Sequence, residues 1–459
     1  MAPHGAKTSI CEGLRFMPQY SAGDTAWVLI AAAFVLLMTP GLAFLYGGMT
    51  RAKSTLNIMM MSLASIGIVT IIWITFGYSV AFGHKGAIIG PIQQSVLGAE
   101  ESSAPLINGT SPYAIPVLAF AAFQLTFAII TTALISGSIA DRTKFSSWCV
   151  FAALWVTIVY LPVAHWSFDF GDATGKGAGW LAARGLQDFA GGTVVEINSG
   201  FAGLAMALVL GKRVGWRKDP MRPHNVPLVI IGAGLLWFGW FGFNAGSALG
   251  ANHLAALAFM NTQIAGSVAL AGWLVVERIR DGKPTSLGAA SGAVAGLVAI
   301  TPSCAFVSPM GAAIIGLLAG VLCALAIGLK YRLGYDDSLD VVGLHGVGGV
   351  IGTLAIGFLG TSAVNSAGKD GLFYGGGTQL LQVQALGTFS VLAYSFIMTF
   401  LIGTVLDKTI GMRISRDAEI EGVDLTEHAE SGYEFDHGSG SGSVGGILSG
   451  ALQSKGNDE

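Results

Sequence analysis

The sequence predicts an all-α integral membrane protein with eleven transmembrane helices. Three observations predict it. Mean hydropathy is +0.65 and only 11% of residues are charged, against about 25% in a soluble domain. Eleven apolar runs approach or exceed the roughly 20 residues that a bilayer crossing takes. Basic residues gather on alternate loops between those runs, as a fixed membrane orientation requires.

The runs lie near 25–48, 55–83, 113–140, 146–166, 189–210, 226–247, 255–277, 286–303, 310–330, 339–361 and 382–407. The first follows a polar N-terminus with no signal-peptide core and is itself long enough to span. Short linkers join the runs, so they form one membrane domain. Arg51, Lys53, Arg142, Lys144, Lys212, Arg213, Arg217, Lys218, Arg222, Arg278, Arg280, Lys283, Lys330, Arg332, Lys408, Arg413 and Arg416 fall on alternate loops. The positive-inside rule then puts the N-terminus outside and the C-terminus inside, which an odd number of spans requires. Spans one to five and six to ten are two groups of opposite topology, the mark of a five-plus-five inverted repeat with an extra C-terminal helix.

Composition also excludes. A net charge of -3 and no basic patch argue against nucleic-acid binding. Cys149, Cys304 and Cys323 sit in or beside apolar runs and read as inert, Cys11 stands alone, and no metal spacing links them. No nucleophile–base set or phosphate loop points to an enzyme, and no cofactor is expected. The 66 glycines suit closely packed membrane helices.

Two runs carry ionisable side chains at membrane depth, which are costly and mark ion or proton paths. The fifth contains Asp188-Phe-Ala-Gly-Gly-Thr-Val-Val-Glu196-Ile-Asn198, and the tenth Asp340-Val-Val-Gly-Leu-His345. Glu196 lies eight residues into a helix entered from outside, about 12 Å deep, and His345 is about 8 Å deep from inside. The two approach the midplane from opposite faces. Gly192, Gly200 and Gly203 share a face with Glu196, and Gly348, Gly349 and Gly352 with His345.

At these residues the chain resembles the Amt/Mep/Rh ammonium transporter family, in its bacterial Amt branch, from about Asp24 to Tyr433. Pro40-Gly-Leu-Ala-Phe-Leu-Tyr46, Phe123-Gln124-Leu-Thr-Phe127, Trp240-Phe-Gly-Phe243-Asn-Ala-Gly-Ser247 and Asp336-Asp337 with Asp340 carry the likeness further. The resemblance implies a homotrimer with a pore in each subunit. Ammonium would be recruited in an outer vestibule, deprotonated, and passed as ammonia and a proton. It makes Phe127, Ser247, Phe168 and Asp188 vestibule residues, Phe127 and Phe243 a stacked gate, and Leu134, Leu236 and Val341 lumen lining. For Asp188, capping of the fifth span is the favoured role over direct ion contact.

The chain departs from the pattern at three places. Glu196 stands where the first of two pore histidines is expected, beside His345, so a Glu–His pair becomes the proton relay. That predicts conduction with altered pH dependence and weaker exclusion of potassium. A vestibule tryptophan is replaced at Phe168, with Trp166 the other candidate. Leu45 stands where a lumen phenylalanine is common.

From Gly411 the tail, with Glu421-Gly422-Val-Asp424, resembles a cytoplasmic regulatory segment. The likeness implies docking on the inner loops and binding of a PII-type regulatory protein. The domains are then an outer segment 1–24, a membrane domain 25–408, a tail 409–437 and a disordered end 438–459. The expected function is ammonium transport across the cytoplasmic membrane. An ammonium sensor of low flux is the alternative, and an Rh-like gas channel fits the aromatic vestibule less well. Asn108-Gly-Thr110 is a glycosylation sequon without expected meaning in such a protein.

Overall fold

The computed structural model describes residues 20–92, 105–110 and 112–433. Cys11 and the stretch 438–459 lie outside the described residues. Among these residues ten helices are long and apolar enough to cross a membrane: Ala22–Met49, Ala52–Phe82, Val117–Ile139, Phe145–Phe168, Gly192–Leu210, Val226–Gly246, His253–Arg280, Pro309–Leu333, Val342–Leu359 and Gln379–Thr409. The expected eighth span is the apolar helix Ser286–Ile300, of 15 residues, about 22 Å long at 1.5 Å per residue. It is buried from Gly292 to Ile300, and the chain turns at Thr301.

Helices are the form that satisfies every backbone group inside hydrocarbon. Their exposed starts are capped from sequence: Ser21 accepts from Asp24 N–H, Asn225 from Leu228, Asn252 from Ala255, Thr285 from Gly288 and Ser308 from Gly311. The third span begins at Val117, not 113. Residues Pro112–Pro116 instead pair antiparallel with Pro105–Ile107. Pro116 cannot donate within a helix, and the residue before a proline is pushed to extended backbone.

The first and sixth spans make the most extensive helix contact, and the fifth crosses the tenth. Each pairs spans five apart in the chain, as the expected five-plus-five arrangement would. The crossing of five and ten is made of glycine. A Cβ on Gly200 would lie 2.2 Å from the Gly346 nitrogen, and one on Gly349 would lie 2.8 Å from Glu196 Cβ.

Spans five and ten open alike. Asp188 stands eight residues before Glu196, and Asp337 eight before His345. Three residues past each aspartate the backbone turns left-handed, at Gly191 (φ 117°) and Asp340 (φ 63°). A π-helical turn follows, Gly192–Ile197 in one and Val342–Gly346 in the other, and carries the ionisable residue. Such turns concentrate at functional sites. Asp340 is among the few non-glycine types that tolerate this φ, and Lys330 Nζ lies 2.6 Å from its carboxylate.

We call the face carrying the start of the first span outer and the opposite face inner. On the inner face Arg213 binds Asp336 through two 2.9 Å contacts and Asp141 through a third. Burial works against the Asp336 charge, but Arg213 holds its carboxyl below the usual range. The tail docks beside this network. Asp424 accepts from the N–H groups of Leu56 and Asn57, capping the second span. Glu427 accepts from Phe145 N–H and caps the fourth. Glu419 accepts from Val214 N–H and from Arg413.

Candidate functional site

An outer cavity of about 470 Å³ is bordered by Phe127, Phe168, Asp188 and Ser247, together with Asn108, Gln124 and Phe306, and Lys369 stands exposed on its rim. At its floor Phe127 stacks on Phe243, with ring centroids 4.1 Å apart and planes 23° apart. Both rings are about 1% exposed. Beneath Phe243 is a lumen of about 10 Å³, room for about one water. Its walls include Ile130, Leu134, Val195, Leu236 and Trp240, and Glu196 and His345 border it. Glu196 Oε2 lies 2.7 Å from His345 Nδ1.

The structure therefore gathers most of the sequence-selected residues into two adjoining chambers. Val341 borders neither. It packs against Gly137 and Gly203, toward the inner side of the fifth-to-tenth crossing, where a Cβ on Gly137 would come within 2.8 Å of it. It directly follows the left-handed residue Asp340. Leu45 also borders neither chamber and lies in the seam of the first and sixth spans, its backbone nitrogen 2.3 Å from where a Cβ on Gly232 would sit.

Asp188 borders the outer cavity, but its oxygens are committed to the start of the fifth span. Oδ1 accepts from Gly191 and Gly192 N–H at 2.9 and 2.6 Å, and Oδ2 from Thr193 N–H at 2.8 Å and from the Thr193 hydroxyl. Its neighbourhood is a cap, as the position before a helix favours. Ser247 donates its hydroxyl to the Phe243 carbonyl at 2.8 Å, which leaves the oxygen lone pairs to accept.

Phe168, and not Trp166, faces the cavity. The Trp166 indole donates to Ile88 O at 2.8 Å and packs against Tyr394 and Trp180. Three residues that frame the site were not singled out for it in the sequence. Asn108, read only as a sequon, is buried: Nδ2 donates to Phe168 O at 2.9 Å and Oδ1 accepts from Phe170 N–H at 2.8 Å. Gln124 lines the cavity, and its Oε1 has no hydrogen-bond partner among the described residues. Asp337 accepts from Val341 and Val342 N–H and caps the tenth span. Its eight-residue distance from His345, matching that of Asp188 from Glu196, was the available signal.

The chemistry open to this arrangement is limited. Aromatic faces and hydroxyl or amide oxygens attract a small cation. A stacked aromatic floor and an apolar lumen exclude hydrated ions. A carboxylate hydrogen-bonded to an imidazole holds and exchanges one proton.

A family model described as the ammonium transporter family matches residues 26–433. The chain is 54% identical over 437 residues to an ammonium transporter of Mycobacterium tuberculosis, covering 91% of this chain and 92% of that one. Among solved structures it is similar to Mep2 of Saccharomyces cerevisiae, at 34% identity and a TM-score of 0.77, over 87% of this chain and 89% of that one. It is also similar to a sensor Amt protein, at 30% identity and a TM-score of 0.79, over 88% and 98%.

Proposed function

This chain belongs to the ammonium transporter family, and from that premise we propose a route for its substrate through the two chambers. Ammonium enters the outer cavity from outside the cell. There it meets the faces of Phe127 and Phe168 and the oxygens of Ser247 and Gln124. It loses a proton at the Phe127–Phe243 gate. Ammonia crosses the lumen along Leu134 and Leu236, and the Glu196–His345 pair relays the proton. Beyond His345, Val341 continues the apolar path inward. Asp188 acts by capping, which fixes the height of Glu196.

The observation that carries this reading is the stacked floor, which parts a cavity with room for a cation from a lumen with room for one water. When ionised, Glu196 supplies an anionic partner where a histidine would be neutral, which favours cations in the lumen. Conduction with a shifted pH profile and some potassium leak follows. The test is current from proteoliposomes under an ammonium gradient, comparing wild type with Glu196→His. Absence of any saturable ammonium current sinks the route, and identical pH profiles and potassium leak in the two chains sink the role of Glu196.

The functional unit is a homotrimer with its tail inside, and the docked tail offers a surface to a PII-type protein. A second reading, a sensor of low flux that signals through that tail, is favoured by the tail's hydrogen bonds to the second and fourth spans. Uptake of methylammonium into liposomes separates the two. A sensor shows binding without appreciable uptake.

A further inference from the structure

Beside the outer cavity, and taking no part in the route above, two histidines flank one buried carboxylate. His84 Nδ1 lies 2.6 Å from Asp169 Oδ1, and His165 Nδ1 lies 3.1 Å from Asp169 Oδ2. The remaining ring nitrogens also face oxygens: His84 Nε2 faces Ile107 O at 3.0 Å and His165 Nε2 faces Gly86 O at 2.9 Å. His165 Nδ1 faces Ala81 O as well, at 3.1 Å. Asp169 further accepts from the N–H groups of His84 and Gly171, so it is ionised. A neutral imidazole donates from one nitrogen only. Each of these rings has acceptors on both sides, an arrangement that favours the imidazolium. Asp169 and His165 are fully buried, while His84 is partly open to the outer face.

The cluster sits where the cavity wall is made. Asp169 lies between Phe168 and Phe170, both of which border the cavity. Through its two partners it ties the end of the fourth span to the segment after the second span and to the strand Pro105–Ile107. Asn108 fastens the same wall from the neighbouring turn. The other ionisable groups facing the cluster are Asp172, beyond His84, and the Tyr78 hydroxyl, on the Asp169 side. Asp172 adds negative charge and favours the imidazolium. Burial works against the charged His84 ring, but its bond to Asp169 and the charge there raise it above the ordinary imidazole value.

We propose that His84, Asp169 and His165 form a charge clasp that positions the Phe168 wall of the outer cavity and loosens as outer pH rises, making the apparent affinity for ammonium depend on outer pH. These are positioning residues. When a ring loses its proton, one of its two acceptors faces a bare nitrogen and that tie opens. The inference rests on reading the outer cavity as the recruitment site.

The test is the KM for ammonium-driven current at outer pH from about 6 to about 8.5, where histidines in such clasps titrate. Wild type should show KM rising about threefold or more across the range. In His84→Gln, KM should already be raised at the acid end, with the further rise at least halved. In Asp169→Asn it should be flat. Maximal current, which reports on Glu196 and His345, should not follow the same profile. A flat wild-type KM, or the same rise in wild type and His84→Gln, overturns the clasp. Hydrogen exchange on wild type alone gives a second reading that needs no variant to fold. After correction for intrinsic rates, backbone protection at 81–86, 105–108 and 168–171 should fall at the alkaline end, and unchanged protection overturns the clasp. No saturable current at any pH would instead sink the recruitment reading, and exchange would still decide the clasp.

Discussion

Replacing Asp188 with alanine should destabilise the membrane domain by about 3–6 kcal/mol. The carboxylate accepts from three backbone N–H groups and one hydroxyl at the start of the fifth span. A buried donor left without a partner costs about 1–3 kcal/mol, so three backbone donors set a range of about 3–9. Asp188 borders the outer cavity, and water entering there can satisfy part of the loss, which selects the lower half. Asp188→Asn keeps one acceptor oxygen but turns an amide N–H toward a donor, for about 1–3 kcal/mol. Asp337, the matching cap of the tenth span, serves two backbone donors, so Asp337→Ala should cost about 2–6 kcal/mol. Thermal unfolding of purified protein, followed by tryptophan fluorescence, should place Asp188→Ala and Asp337→Ala well below wild type and Asp188→Asn between. If Asp188→Ala melts within about 1 °C of wild type yet loses transport, capping is the wrong account and the aspartate handles the ion directly.

Phe243→Ala removes one ring of the stacked floor and joins the two chambers. Selectivity for ammonium over potassium, measured as a current ratio, should fall at least about threefold. Asp424→Ala and Glu427→Ala each strip a cap from a span and free the tail, at about 1 kcal/mol apiece. Limited proteolysis should then cut the tail faster than in wild type, and fastest in the double variant. The clasp sets a pH window for the outer loops. Burial pushes Asp169 up, but its bonds from His165 and His84 bring it down to about 2, below the unfolded value near 3.9. Its contribution is therefore full above about pH 4 and is lost as pH falls through about 2. His84, raised when folded, contributes below about 6.5 and loses that contribution as pH rises past its folded value. A pH–melting curve should plateau between those limits, and Asp169→Asn should flatten its acid limb.

Much of this architecture was written in hydropathy. Periodic apolar runs located eleven spans because hydrocarbon admits few alternatives to helix. Glu196 and His345 stood out because charge at that depth has few explanations, and their 2.7 Å contact follows from spans entering from opposite faces. What the sequence hid depends on long-range partners. Nothing local marks Asn108 as holding the backbone of Phe168, or Asp169 as shared by His84 and His165. Trp166 and Phe168 are two residues apart, and only packing decides that the larger ring turns toward Tyr394. Nothing local placed Val341 below the small lumen rather than on its wall, against Gly137 and Gly203. The third span started late because prolines at 112 and 116 override apolar character.

The brevity of the eighth helix has an electrical consequence. Ser286–Ile300 is about 8 Å shorter than a hydrocarbon core of about 30 Å, and the turn that follows contributes Phe306 to the outer cavity. A recess of this kind, filled with water, carries the outer potential inward. The membrane voltage then drops mainly across the stacked phenylalanines and the lumen beneath them. An ion waiting in the cavity has crossed little of the field, so its binding should be nearly indifferent to voltage. A charge passing from the gate to the inner face feels almost all of it, about 2.3 kcal/mol per 100 mV. Voltage should therefore act on the maximal current and leave KM almost untouched.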